Sequence, residues 1–132
     1  MSVSDPIADM LAKLNNAGAA GHDSVDIRPS KVKLEVTKIL KTEGYVKNFK
    51  KIGEGTESAI RIFLKYDEDA RPLIQGLKRI SKPGRRIYSG YDEMPRILNG
   101  YGTIIVSTSA GVLTGKKARD RKIGGELICS VW

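Results

Sequence analysis

The spacing of apolar residues changes from a helical period to a strand period near Gly44, and this change most limits how the chain can fold. Before it, apolar residues recur every three or four positions over residues 7–17 and 32–40, which is typical of amphipathic helices. After it, apolar and polar residues alternate over residues 45–49 and 58–64, as in half-buried strands. Helices and strands in this order predict a helix-on-sheet layer of the α+β class.

Turn residues divide the chain further. Alternation over residues 22–28 predicts a short strand between the two helices, and residues 74–81 are a further candidate strand of this first part. Lys82-Pro83-Gly84 is the strongest breaker in the sequence. We therefore expect an N-terminal lobe over residues 1–81, with two helices and a three-stranded sheet, and a mainly β C-terminal lobe over residues 82–132.

The C-terminal lobe shows strand patterns and one short helical pattern. The predicted strands cover residues 103–106, 112–114 and 126–131, and residues 116–122 fit one or two helical turns. Residues 94–98 are predicted to form a turn or a short helical piece.

The charge of the chain favours a polyanionic partner. Its formal net charge is +8, and the excess is spread over both halves rather than held in a basic tail, which argues for a folded basic surface. The single cysteine excludes an internal disulfide and fits the cytoplasm. The sequence shows no secretory signal and no membrane-spanning stretch, so we expect no membrane partner, and we expect a monomer when the chain is free.

Catalytic chemistry is poorly represented in the sequence. His22 and Cys129 are the only residues of their types, and Cys129 lies in an apolar segment, where a buried and inert thiol is expected. Metal sites need several converging ligands. We therefore predict no enzymatic activity, no metal, no cofactor and no small-molecule substrate.

One uncharged polar segment stands out in this basic chain. Ser107, Thr108 and Ser109 lie between two apolar runs and precede Ala110-Gly111. Hydroxyls donate and accept hydrogen bonds, so they suit a base edge, a phosphate or a ribose, but they suit a hairpin turn equally well. Glu126 has the same two interpretations, because a carboxylate accepts from an amine or a ribose hydroxyl but also suits an exposed strand face.

Two hypotheses about binding remain at this point. Tyr88 stands beside arginines and has the chemistry to stack on an unpaired base, and the clustered lysines and arginines suit phosphates. The first hypothesis is a protein that recognises a particular RNA. The alternative is a generic basic interaction module that binds anionic surfaces without sequence or shape specificity.

The segment "STSAGVLTGKKARDRKIGGELICSVW" resembles the signature of the bacterial small ribosomal subunit protein eight family. The segments "DPIADMLAKLNNA", "PSKVKLEVTKILKTEGY" and "KPGRRIYSGYDEMPRILNGYG" also resemble this family, so the resemblance covers nearly the whole chain. Gly115 departs from it, because the family usually has Asp there. Thr114 is therefore expected to cap the short helix.

This resemblance implies a structural constituent of the small ribosomal subunit in the cytoplasm, a primary binder of the central domain of 16S rRNA. It also implies a role in subunit assembly, contacts with neighbouring small-subunit proteins and, in some bacteria, repression of the protein's own operon. Arg86 would serve a phosphate, and Asp5-Pro6 would place a helix N-terminus near one. Carried over by matching position, the RNA-contacting residues would be Ser107, Thr108, Ser109, Glu126, Gly124, Tyr88 and Arg86, with Asp5, Pro6, Asn15 and Lys31 in the first lobe.

Overall fold

The computed structural model describes residues 5–95 and 102–132. Contacts divide these residues into two compact units. Asp9–Gln75 form one unit, and the described residues up to Ala8 and from Gly76 onward form the other. The chain is mixed α+β, as the sequence predicted, with a three-stranded sheet in one unit and a five-stranded sheet in the mostly β other unit.

The unit of Asp9–Gln75 contains two helices and a small antiparallel sheet. Its strands pair in the order β1-β3-β2. The elements are α1 (Pro6–Ala19, which begins just before this unit), β1 (Ser24–Ile27), α2 (Lys31–Thr42), β2 (Val46–Ile52) and β3 (Ala59–Leu64).

Local sequence signals explain how α2 begins and ends. The Ser30 hydroxyl accepts a hydrogen bond from the Lys33 amide at 3.2 Å, which satisfies a free N–H group at the helix start. Gly44 follows the helix with a φ of 83°, a left-handed conformation that glycine adopts without strain. On β3, Ile60, Ile62 and Leu64 are buried while the residues between them are half-exposed.

Lys33 is a charged residue of α2 that is buried, although a lysine is usually exposed. The residue is only 6% exposed. Its ammonium group donates to the Arg28 carbonyl at 3.1 Å, and burial lowers the pKa of this group. The long alkyl stem of a lysine packs against apolar neighbours when its charged end finds an acceptor, and residue spacing does not reveal that acceptor.

The described residues of the second unit form a five-stranded antiparallel sheet, the short α-helix α3 and a 3₁₀ helix at Tyr91–Glu93, in addition to the start of α1. Strands β4, β8, β6 and β7 pair in that order, and β5 pairs with another part of β8. The elements are β4 (Leu77–Arg79), β5 (Tyr88–Ser89), β6 (Thr103–Thr108), β7 (Gly111–Thr114), α3 (Gly115–Asp120) and β8 (Gly125–Val131).

The predicted cap of α3 is confirmed. The Thr114 hydroxyl accepts a hydrogen bond from the Lys117 amide at 3.2 Å. The helix then packs Ala118 into a core cluster with Ile104, Val106 and Leu127. Alternate residues of β6 and β8 therefore supply one buried face of the sheet, and α3 covers it.

The candidate strand at residues 74–81 is shorter than predicted and belongs to the other sheet. Strand β4 pairs with β8, with Leu77 opposite Val131. A Cβ on Gly76 would collide with the Trp132 indole, so glycine permits this close packing. Alternation identifies a strand but does not name its partner. Whether residues 1–81 and 82–132 behave as separate domains stays a prediction.

Most of the piece predicted at residues 94–98 lies outside the described residues. Among the helices of residues 5–95 and 102–132, none is long and apolar enough to cross a membrane.

Candidate nucleic-acid interface

Three residues predicted to bind RNA form a row across the five-stranded sheet. Tyr88 on β5 lies opposite Glu126 on β8, and Glu126 lies opposite Ser107 on β6. Residues directly opposite each other in antiparallel strands have their side chains on the same face. We call Tyr88, Glu126 and Ser107 the polar row.

Glu126 is the most strongly held residue of the polar row. Its Oε2 atom accepts one hydrogen bond from the Ser81 hydroxyl at 2.5 Å and another from Arg86 Nη1 at 3.0 Å. Burial alone would raise the pKa of Glu126, but the hydrogen bonds from Ser81 and Arg86 and the charges of Arg86 and Arg79 outweigh it, so the pKa lies below its usual value. Glu126 is therefore a carboxylate at neutral pH.

Tyr88 projects furthest from the sheet, since 69% of it is exposed. The pairing of β5 with β8 holds its backbone beside Glu126. The ring of Tyr88 is exposed, while its backbone is held in a paired strand. Such a ring suits stacking on an unpaired nucleobase.

The three hydroxyls of residues 107–109 have different roles in the structure. The Thr108 hydroxyl donates to the Gly111 carbonyl at 2.7 Å and accepts from the Ala110 amide at 3.1 Å. Thr108 thus closes the β6–β7 turn with its own side chain. The hydroxyls of Ser107 and Ser109 have no hydrogen-bond partner within the part of the chain that the structure describes, so they keep their full bonding capacity.

Gly124 lies where the loop before β8 meets the end of β5. A Cβ at this position would stand 2.5 Å from the Ser89 carbonyl oxygen. The next residue, Gly125, would collide with the Ser107 carbonyl oxygen if it carried a side chain. The glycine pair lets three backbone segments approach closely beneath the polar row. Close packing thus accounts for Gly124, and its predicted contact with RNA stays a prediction.

Asp5 and Pro6 form the start of α1 and belong to the same unit as the polar row. An Asp5 carboxylate oxygen accepts from the Ala8 amide at 3.2 Å, which caps the helix. Arg79 also donates to this carboxylate, at 3.0 Å to Oδ2, and to the Ile128 carbonyl at 2.6 Å. Asp5 is therefore held in place from two sides, while Pro6 is exposed.

Asn15 and Lys31 lie in the unit of Asp9–Gln75 and are both exposed. Asn15 is on α1, and Lys31 is the first residue of α2. Their positions leave both side chains accessible to a large ligand.

Exposed cations accompany the polar row within its own unit. Arg86 is 48% exposed and points its guanidinium at Glu126. Further exposed cations lie on β4, in the turn before β5, and on or just after α3, namely Lys78, Lys82, Arg85, Lys116, Lys117, Arg121 and Lys122. They give the unit that carries the polar row an exposed positive charge, which suits a ligand whose phosphates lie beside the atoms that the polar row contacts.

Two residues found by the structure were not among the predicted site residues. Ser81 is fully buried beneath Glu126, and Arg79 connects Asp5 to β8. In the sequence Arg79 is one of several neighbouring basic residues, and nothing in that pattern indicates an ion pair. Nothing in the sequence around Ser81 distinguishes it from any serine before a turn.

Neither residue weighed for catalysis has a catalytic setting. Cys129 is fully buried, as expected, and burial raises the pKa of its thiol to about 12. His22 is exposed. Within residues 5–95 and 102–132, no group of three His, Cys, Asp or Glu side chains converges as a metal site would require.

The fold and this interface define a basic α+β binding protein. Comparison with known proteins names its family: the chain matches the family model of ribosomal protein S8 over residues 5–132 and belongs to that family. The small ribosomal subunit protein uS8 of Treponema pallidum (strain Nichols) is 60% identical over 132 residues, with 100% of both chains covered. Those of Borreliella burgdorferi (strain ZS7) and Syntrophobacter fumaroxidans are 52% and 51% identical over the same full length.

Membership in this family confirms several predictions from the sequence. The chain is a ribosomal protein, a structural constituent of the ribosome rather than an enzyme. The predicted location, in the cytoplasm with the small ribosomal subunit, is that of the family.

Proposed function

We propose that this chain binds the central domain of 16S rRNA directly and helps the small subunit to assemble. The observation that carries the proposal is the polar row. It combines a fixed carboxylate, a hydroxyl with no partner among the described residues and an exposed aromatic ring on one face of a sheet, in a unit that also carries exposed cations. A binder that used charge alone would have no need of this arrangement.

The chemistry of the polar row suits irregular RNA better than a regular duplex. Small hydroxyls such as those of Ser107 and Ser109 approach base edges and ribose 2′-hydroxyls without steric conflict. The Glu126 carboxylate accepts from an exocyclic amine or a 2′-hydroxyl. It repels phosphates, so it disfavours any RNA orientation that places a phosphate next to it. Tyr88 stacks on a base that is already unpaired. Together these groups require a helix with unpaired bases.

Contacts with phosphates would supply affinity and position. Arg86 lies beside the polar row and would reach a phosphate next to the recognised bases. Pro6 would approach the backbone at the start of α1, while Asp5 keeps that helix end oriented through its bonds to Arg79 and the Ala8 amide. Exposed Asn15 and Lys31 would meet a second part of the RNA.

Other partners follow from a place in the small subunit. We propose contacts with neighbouring small-subunit proteins. A messenger that presents the same irregular helix would fit the same polar row, and this is the repressor role that the family resemblance implies. No described feature favours a particular messenger, so this role stays a prediction.

A competition titration tests the proposed function. Labelled central-domain fragment of 16S rRNA is titrated with the protein over a range of salt concentrations, with duplex DNA as the competitor. The proposal predicts that the fragment binds far more tightly than the duplex at every salt concentration. Equal affinity for the two would support the generic basic module instead.

A further inference from the structure

Ser81 is a fully buried hydroxyl residue that the proposed function does not use. Its Oγ atom donates to Glu126 Oε2 at 2.5 Å and accepts from the Ile87 amide at 3.1 Å. Its own amide donates to the Leu127 carbonyl at 3.0 Å, which ties it to β8. Because its neighbours fix both the donor and the acceptor side, the hydroxyl proton has one direction, toward Glu126.

The two donors to Glu126 share a single carboxylate oxygen. Arg86 Nη1 approaches the same Oε2 atom that Ser81 occupies. Among the described residues, Oε1 has no partner, and none of their buried side-chain oxygens lacks a partner. Oε1 is therefore at least partly exposed, on a side chain that is 21% exposed. One half of the carboxylate is anchored in the protein, and the other half is free to accept a hydrogen bond.

The two anchors differ in exposure. Ser81 is fully buried, whereas the Arg86 side chain is 48% exposed. An exposed arginine exchanges its partner for a phosphate at little cost, because it stays in contact with water throughout. A buried hydroxyl has no such alternative.

We propose that Ser81 is a positioning residue that keeps Glu126 Oε1 turned to the surface, so that Arg86 leaves for an RNA phosphate without releasing the carboxylate. This proposal rests on the proposed function, since it assigns the free oxygen to a hydrogen-bond donor of the RNA. Glu126 and Arg86 are paired in the free protein, but in the complex they would contact different groups of the RNA.

The electrostatic surroundings of Glu126 agree with this assignment. Arg79 faces it from β4, Arg86 from the segment before β5 and Tyr88 from β5, while β6 offers only the neutral Ser107. The hydrogen bond from Ser81 is one of the interactions that lower the pKa of Glu126. Removal of that hydroxyl is expected to raise this pKa in the free protein.

A double-mutant cycle tests the proposal. Ser81→Ala, Glu126→Gln and the double variant are titrated with the central-domain fragment, and the pKa of Glu126 is followed by NMR in the free Ser81→Ala protein. Ser130→Ala is the matched control, because Ser130 is also buried in this sheet but lies opposite Lys78 and Ile104. We expect Ser81→Ala to weaken binding about three- to tenfold and to raise the pKa. It should add nothing in the Glu126→Gln background, and Ser130→Ala should change neither quantity.

Equal losses from Ser81→Ala and Ser130→Ala would overturn the proposal, as would a loss that persists undiminished in the Glu126→Gln background. If Ser81→Ala does not fold, Ser81→Thr and Ser81→Val replace it, since they add the same bulk and differ in the hydroxyl. The Thr variant should then bind more tightly than the Val variant, and equal affinities would overturn the proposal. Failure of the proposed function itself would appear separately, as a wild-type protein that does not prefer the fragment over duplex DNA.

Discussion

Among the described residues, the Asp26–Arg61 pair of the three-stranded sheet and the Glu126–Arg86 pair of the five-stranded sheet differ in how much hydrogen-bonding capacity they leave free. In the three-stranded sheet, Arg61 donates to both carboxylate oxygens of Asp26, at 2.9 and 3.2 Å. In the five-stranded sheet, Arg86 and Ser81 share one oxygen of Glu126. We call Asp26–Arg61 the closed pair, because both carboxylate oxygens accept from the arginine. We call Glu126–Arg86 the open pair, because one carboxylate oxygen has no partner among the described residues.

This difference shows that exposure alone does not identify a binding residue. Arg61 and Asp26 are 38% and 47% exposed, more than the 21% of Glu126. An exposed pair that satisfies itself is worth little to stability and has little to offer a ligand. A carboxylate held from below by a buried hydroxyl is already oriented, so it loses less entropy when it binds.

The largest effect should come from neutralising the open pair. Glu126→Gln keeps the shape of the side chain but removes its charge and one acceptor. It should weaken binding of the central-domain fragment by about 1–3 kcal/mol, the range for a good polar base contact. Asp26→Asn is the matched control on the closed pair and should leave affinity unchanged. Equal losses from the two variants, measured by titration at one salt concentration, would remove the distinction between open and closed pairs.

The β6–β7 turn allows a similar comparison between hydroxyls. Thr108→Val removes two hydrogen bonds within the turn and should lower the free energy of unfolding by about 1 kcal/mol. Ser109→Ala removes no such bond and should change the unfolding free energy by less than about 0.5 kcal/mol, while it weakens RNA binding. Urea unfolding and titration of both variants check this. The assignment fails if Ser109→Ala proves the more destabilising of the two.

The two carboxylates also predict how stability depends on pH. The pKa of Glu126 lies below its ordinary value in the folded protein, so its stabilisation is complete above the unfolded-state pKa and is lost as pH falls through the folded-state pKa. The free energy of unfolding should thus decrease as the solution is acidified from about pH 5 to about pH 3. Urea unfolding of Glu126→Gln should show a shallower decrease. If the unfolding free energy of Glu126→Gln falls as steeply with acidification as that of the wild type, the lowered pKa of Glu126 is contradicted.

Asp26 should behave in the same direction, because its hydrogen bond from Arg61 lowers its pKa as well. Its exposure to solvent screens that pair. Asp26→Asn should therefore flatten the acid side of the stability curve less than Glu126→Gln does.

The smallest effect is expected at Lys31, in the other unit. Lys31→Ala should weaken binding slightly and lower the slope of log affinity against log salt by about one unit, as for one lost phosphate contact. Lys38→Ala on the same helix is the control, because Lys38 is paired with Glu35 at 3.7 Å and has no proposed contact. Identical slopes for the two variants would remove Lys31 from the interface.

Much of the fold could be predicted because its signals are local. Thr114 caps α3 at the predicted position, and alternation places β3 and β8 within a residue or two of their ends. The partner of β4 could not be predicted, since it lies at the far end of the chain. The burial of Lys33 depends on a single carbonyl, that of Arg28, which a periodic pattern does not include.

The candidate site could also be predicted only in part. The residue pattern singled out Ser107, Thr108 and Ser109 but favoured a turn and a binding site equally, and only the family resemblance assigned them to RNA. The Thr108 hydroxyl bonds within the turn, while the two serine hydroxyls have no partner among the described residues. Whether Thr108 also contacts RNA stays a prediction. The role of Ser81 could not be predicted from the sequence, because Glu126 lies 45 residues away and contacts Ser81 only in the folded protein.

The central claim is that uncharged hydroxyls read the RNA while cations attract it. The most direct test is a salt series with the central-domain fragment, comparing the wild type with the double variant Ser107→Ala/Ser109→Ala. The account predicts parallel lines, because no charge is lost, with the double variant weaker by about tenfold or more at every salt concentration. Two coincident lines would show that charge alone accounts for binding and would contradict the claim.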